Sequence, residues 1–184
     1  MHRILQRHPD STGAAALGIE ADVGRPRPTL LELWITVTGP VDEVRMPRFI
    51  GSGFADGLWQ HTCFEAFVGV PGGPAYYELN FSPSGRSAAY RFDRYRVGMR
   101  PAAEIGPPFE TKGEGAKLTF RTRLDLAVVL GADASQAWRI GVSVVLEEKS
   151  GAKSYWALTH PPSGPPDFHH PDCFTLELPA SARA

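Results

Sequence analysis

Apolar and polar residues alternate along much of this chain, and a period of two is the mark of half-buried β-strands. The clearest stretch is 138–147, where Trp138, Ile140, Val142, Val144 and Leu146 form an apolar stripe opposed by Arg139, Ser143 and Glu147. In CFEAFVGV, residues 63–70, Phe64, Ala66, Val68 and Val70 share one side; Cys63, Glu65 and Phe67 share the other. In AYYELNF, 75–81, Tyr77, Leu79 and Phe81 are expected in the core, with Tyr76, Glu78 and Asn80 facing away. Tyr90 and Phe92 of 87–93 are assigned to the core, with Arg91 and Asp93 outward. The stretch 173–178 sets Phe174, Leu176 and Leu178 against Cys173, Thr175 and Glu177. Further strands are predicted at 30–38, 116–123 and 153–159. Turn-forming clusters separate them: GRPRP at 24–28, GVPGGP at 69–74, SPSG at 82–85, GPP at 106–108 and PPSGPP at 161–166. Only 124–134 suggests a helical turn or two, and residues 1–28 yield no element. Short strands between frequent turns predict an all-β fold, a single-domain antiparallel β-sandwich of immunoglobulin-like or jelly-roll-like type over 1–184.

One hairpin can be registered from its turn. Gly72-Gly73 reads as the two-residue centre of a type I′ turn, in which both central residues need positive φ. That centre puts Pro71 opposite Pro74, Phe67 opposite Glu78 and Glu65 opposite Asn80. Directly opposed residues hold their Cβ atoms within roughly 5.5 Å. Glu65, Asn80 and, diagonally, Glu78 are therefore expected on one patch of one sheet face. A carboxylate flanked by Phe64 and Phe67 needs a partner.

Composition narrows the classes of function. Hydrophobic residues make up 42% and charged residues 21% of the 184, and the formal net charge is −1. That balance lacks the basic excess of a nucleic-acid surface, so no nucleic-acid partner is expected. The stretch 86–100 does interleave arginines with aromatics, which can hold single strands. Its parity reads instead as a solvated strand edge. No run approaches the roughly 18 apolar residues of a membrane span, so no membrane partner is expected. The first residues lack a cleavable leader pattern, which points to the cytoplasm. Cys63 and Cys173 stand outside any CxxC pair and read as buried thiols.

Three motifs in order carry a resemblance: LWQHTCFEAFV, then YYELNFSPSGRSAAYRFDRYR, then SYWALTHPPSGPPDFHHPDCFTLEL. From about residue 58 to 178 they resemble the DOMON-like domains, in the broad superfamily of family 9 carbohydrate-binding modules. The resemblance implies a β-sandwich whose ligand lies on one sheet face. It also implies small-ligand binding, of a sugar in one branch and of haem in another. For the sugar branch the matching residues are Trp59, Glu65, Asn80, Arg96 and Trp156. An indole packs against the CH face of a sugar, and the hydroxyls need paired donors and acceptors. The haem branch would need a methionine and a histidine, for which Met46, Met99, His160 and His169 are available.

The loop 155–170 gathers Trp156, His160, Asp167, His169 and His170 among prolines. Zinc uses such ligands at tighter spacing on regular elements, so no metal is assigned. His160 shares the parity of Trp156, and the two are expected on the polar sheet face, where the loop closes one edge of a ligand site. His170 is assigned to solvent. The ligand site is thus expected to comprise Trp59, Glu65, Glu78, Asn80, Arg96, Trp156, His160, Asp167 and His169. No residue is given a catalytic role: Ser84 lacks a GxSxG setting, and a diagonal Glu65–Glu78 pair alone is not a glycosidase. The expected partner is a small saccharide-like molecule, with no cofactor save haem in the second branch. The third reading is a protein-interaction module.

Overall fold

The computed structural model describes residues 1–13, 16–102 and 109–180. In chain order the strands are β1 (His2–Ile4), β2 (Gln6–Arg7), β3 (Gly18–Arg27), β4 (Leu30–Thr38), β5 (Gly53–Phe54), β6 (Cys63–Gly69) and β7 (Tyr76–Phe81). Then come β8 (Arg86–Phe92), β9 (Arg100–Pro101), β10 (Phe109–Glu114), β11 (Lys117–Asp125), β12 (Trp138–Glu147), β13 (Lys153–Ala157) and β14 (Leu176–Leu178). The helical turns expected within 124–134 are α1 (Ala127–Leu130) and a 3-10 turn over Gly131–Ser135. The GPP turn at 106–108 lies outside the described residues.

The strands make two sheets. One is five-stranded, ordered β1-β3-β4-β11-β10. The other runs β2-β13-β12-β6-β7-β8-β5, with β14 beside β12 and β9 beside β8. The long pairings are antiparallel, and β5 lies parallel to β8. The alternating stripes explain why the sheets face each other. Ile19, Ala21 and Val23 of β3, with Leu33, Ile35 and Phe120 beside them, meet Phe64, Ala66, Leu79 and the β12 stripe in one buried core. Phe64 and Phe120 stack across the two layers with ring centres 4.6 Å apart. This is the all-β sandwich the patterning predicts.

The hairpin register holds: Glu65 pairs with Asn80 and Phe67 with Glu78. The turn itself differs. Gly73 N–H donates to Val70 O, and Gly72 alone carries a positive φ, of 77°. That is a type II turn, with Pro71 supplying the fixed φ of its second position and Gly72 the left-handed third. The proline decides the turn, and the strand phase is unchanged.

The assignment of faces needs a correction. Tyr90, Phe92 and Phe174 are buried, but away from the main core, in a second cluster with Phe67 and Tyr76 on the other face of the larger sheet. The inner position on β8 belongs to Ala89. Phe174 precedes β14, in the exit of a 3-10 turn at Pro171–Cys173, so the strand's phase does not reach it. Both faces of this sheet are covered, and burial therefore does not reveal which face a residue is on.

Candidate functional site

The covered outer face of the larger sheet holds the site. Its cover is the chain from Leu158 to Phe174. Gly141 makes room for it: a Cβ there would meet Cys173 O at 3.2 Å and the Phe67 Cβ at 3.4 Å. Under this cover the register lays out rows of outward side chains. Ser143, Glu65 and Asn80 stand side by side on β12, β6 and β7, and Phe67, Glu78 and Tyr90 form the next row. Between them opens a cavity of about 360 Å³. Glu65 and Glu78 lie at its lining with Phe67, Phe92, Val145 and Tyr155, while Trp59, Arg96, Met99, Pro166, Phe168 and His169 come from the surrounding loops.

The two carboxyls are nearly inaccessible, at 2% and 4% exposure. Glu65 Oε2 accepts a hydrogen bond from Ser143 Oγ at 2.7 Å, and Glu65 Oε1 is buried with no partner. Glu78 Oε1 accepts from Asn80 Nδ2 at 2.9 Å. Burial pushes both acids up, Glu65 to about 8 and Glu78 to about 7. The charge of Glu78 raises Glu65 further, while the Ser143 and Asn80 bonds pull the other way. Desolvation dominates because a carboxylate loses far more hydration than a single hydrogen bond returns.

His169 closes the site above Glu78. Tyr76 Oη accepts the Arg96 N–H at 3.2 Å and is hydrogen-bonded to His169 Nδ1, 2.8 Å away. His169 Nε2 lies 3.7 Å from Glu78 Oε2. That separation is too long for a hydrogen bond. Nor is it an ion pair, because burial, helped by Arg96, pushes His169 down to about 4. The ring is wedged between Phe67 and Phe92, with centroids 5.2 and 5.0 Å away.

Arg96 is fixed rather than free. Its Nε and Nη2 donate to Asp167 Oδ1 at 3.2 and 2.7 Å, and Tyr95 donates to Asp167 Oδ2 at 2.5 Å. Asp167 Oδ1 also accepts the His169 N–H. Arg96 holds φ at 53°, a left-handed conformation that costs an arginine on the order of 1 kcal/mol. Asp167 thus secures both the strained turn and the covering loop. We expect Asp167→Asn to lower the melting temperature by about 2–4 °C, the effect of about 1 kcal/mol in a domain of this size. Thermal unfolding followed by circular dichroism measures it, and an unchanged midpoint would show that the clamp is dispensable.

The expected site residues divide accordingly. Trp59, Glu65, Glu78, Arg96 and His169 line the cavity. Asn80 and Asp167 stand behind that lining: Asn80 orients Glu78 and is fully buried, and Asp167 orients Arg96. Trp156 and His160 are corrections. Trp156 pairs with Val144 and points into the main core, its indole Nε1 donating to Ser154 Oγ at 2.9 Å. Its neighbour Tyr155 takes the outer face. His160 lies beyond the end of β13, where strand parity no longer applies; its Nε2 is 2.8 Å from Gln6 O and its ring meets His8 edge-on. His170, assigned to solvent, is only partly exposed and caps the 3-10 turn by accepting the Asp172 N–H. Sequence reasoning missed Phe67, Phe92, Tyr155 and Phe168 as cavity walls. Parity and the hairpin register placed Phe67 beside Glu78, which was the available signal.

A larger concavity, about 830 Å³, is lined by residues of β3, β4, β10 and β11, Trp34 among them. Of its charged residues, Arg121 pairs with Glu110 and Arg123 with Glu32. The smaller cavity is the one with a buried, unpartnered carboxyl oxygen, and that marks it as the candidate site.

No protein-family profile and no curated protein matches this sequence. Solved structures do. A Bacteroides uniformis protein of proposed carbohydrate-binding function superposes with a TM-score of 0.62, at 15% identity, covering 95% of this chain and 84% of its own. The fold is also similar to that of a family 9 carbohydrate-binding module. One such module, from Caldicellulosiruptor kristjanssonii in complex with cellotriose, superposes with a TM-score of 0.51 at 12% identity, covering 87% of this chain and 73% of its own. At these identities the likeness extends to the fold alone. Among the described residues no helix is long and apolar enough to cross a membrane.

Proposed function

We propose that this chain is a saccharide-binding module whose ligand occupies the cavity over Glu65 and Glu78. The observation that carries this reading is a pair of buried acids, one with an oxygen that no hydrogen bond satisfies, at the lining of a cavity walled by Trp59, Phe67, Phe92, Tyr155 and Phe168. Aromatic faces take the CH surface of a sugar ring, and carboxyl oxygens take its hydroxyls. The cellotriose bound by the structurally similar module supports the same choice.

Thermal unfolding against a panel of mono- and oligosaccharides tests it, since a ligand of the folded state raises the midpoint. Trp59→Ala is expected to weaken the responding sugar by about tenfold, or ~1.4 kcal/mol. A panel that leaves the midpoint unmoved at millimolar concentrations would defeat the reading.

Haem fits these residues poorly. Met99 and His169 both line the cavity, but Tyr76 occupies His169 Nδ1, and Nε2 faces Glu78 Oε2 at 3.7 Å. A metal at the roughly 2 Å usual for imidazole nitrogen would meet that carboxyl before any macrocycle. Met46 and His160 do not line the cavity. Haemin added to the protein is expected to give no sharpened Soret band.

A further inference from the structure

We propose that the ligand group seated between Glu65 and Glu78 is a protonated amine, so that the cavity selects amino sugars over neutral ones. This rests on the saccharide reading above and sharpens it.

The two acids leave hydrogen-bonding capacity unspent. Ser143 satisfies one oxygen of Glu65, and Asn80 satisfies one oxygen of Glu78. The other oxygen of Glu65 is buried without a partner, and that of Glu78 has only the distant His169 Nε2. The pair at the cavity lining therefore has acceptor capacity that the protein leaves unsatisfied. Part of the neighbouring donor capacity is engaged elsewhere. Asn80 gives its amide N–H to Glu78 and takes the Cys63 thiol on its oxygen. Two N–H groups of Arg96 are committed to Asp167, which offsets part of its charge.

An ammonium supplies what is missing. It brings three N–H donors and one positive charge, where a hydroxyl brings one donor and no charge. The walls include Trp59, Phe67, Phe92, Tyr155 and Phe168, and the face of an aromatic ring attracts a cation. Among the described residues Arg96 is the cationic side chain at the lining, and Asp167 holds it.

The surroundings of the pair determine how protons follow the ligand. Arg96 and His169 stand above Glu78, Asp56 and Tyr90 form a hydrogen-bonded pair on the β8 side, and Tyr76 and the Cys63 thiol complete the set. Burial favours the protonated acids in the empty site, and an arriving ammonium favours their ionisation. Proton release into the buffer should accompany binding of the amine.

Isothermal titration calorimetry on the full chain at pH 7 tests this with glucosamine, glucose and N-acetylglucosamine, in two buffers of different ionisation enthalpy. Glucosamine should bind on the order of tenfold more tightly than glucose and release a proton. N-acetylglucosamine, which keeps the nitrogen but loses the charge, should bind no more tightly than glucose. Glu65→Gln, with folding checked by circular dichroism, should shrink the glucosamine-to-glucose ratio to below about threefold. Equal affinities for glucose and glucosamine would overturn the amine inference while leaving the saccharide reading standing. Binding of none of the three sugars would overturn both.

Discussion

Replacing Trp156 with alanine will destabilise the fold by roughly 3–5 kcal/mol, the range for removing a large aromatic from a packed core. The side chain is 5% exposed within the main core and sits opposite Val144. Its indole N–H is satisfied by Ser154, so the truncation also strips a buried hydroxyl of its partner. Tyr155→Ala, one residue earlier, should change stability far less and instead weaken ligand binding, because that ring lines the cavity. Urea denaturation of both variants, with the slope of the transition unchanged, separates the two effects. A Trp156→Ala protein within about 1 kcal/mol of the parent would place the indole on the ligand face after all.

The contrast between Tyr155 and Trp156 shows what a sequence can and cannot specify in this fold. Alternation was enough for 30–38 and 138–147, whose boundaries match β4 and β12. The Gly72-Gly73 signal was enough to pair Glu65 with Asn80, although the turn itself centres on Pro71-Gly72. Phase within 153–159 was also legible: Leu158 shares the parity of Trp156 and lies in the same core. The analogy with sugar-stacking tryptophans pulled Trp156 the wrong way. Alternation fails in two other circumstances. Where both sheet faces are covered, Tyr90 and Ala89 are both buried, and apolar character no longer identifies the inner one. Where neither side is buried, as in FETKGE of β10, there is no stripe to find. The strand β3 was missed although Ile19, Ala21 and Val23 alternate, because alanine and the following Gly-Arg-Pro weaken a signal that only pairing with β4 reinforces. The cavity walls come from residues as far apart as Phe67 and Phe168, brought together by the covering loop, and no local pattern encodes that meeting.

The stability of the protein should fall as pH rises from about 6.5 to 8.5, by on the order of 2–3 kcal/mol. Glu65 and Glu78 cause it. Their folded values, about 8 and about 7, stand above the ordinary 4.5, so between these limits the folded chain holds protons that the unfolded chain has released. Stability from such groups is complete below pH 4.5 and is lost as the pH passes through the folded values. His169 acts in the opposite sense over a lower window: held down to about 4 from 6.5, it makes the unfolded chain the better proton binder in that interval. The two effects partly cancel on the acid side, and above pH 6.5 the acids act alone. Glu65→Gln keeps the shape, removes the more strongly shifted acid and relieves Glu78 of a neighbouring charge. It should flatten the profile and leave the variant more stable than the parent at pH 8.5, with the difference shrinking as pH falls and nearly gone by about pH 4. Urea midpoints at intervals across this range measure both curves. A parent profile that rises between pH 6.5 and 8.5 would mean that the carboxyls ionise freely where they stand, and the floor of the cavity would then be hydrated rather than dry. A falling parent profile with a flat variant would locate the cost in Glu65 itself: a buried acid that weakens the empty protein at neutral pH and whose open oxygen is left for a ligand to satisfy.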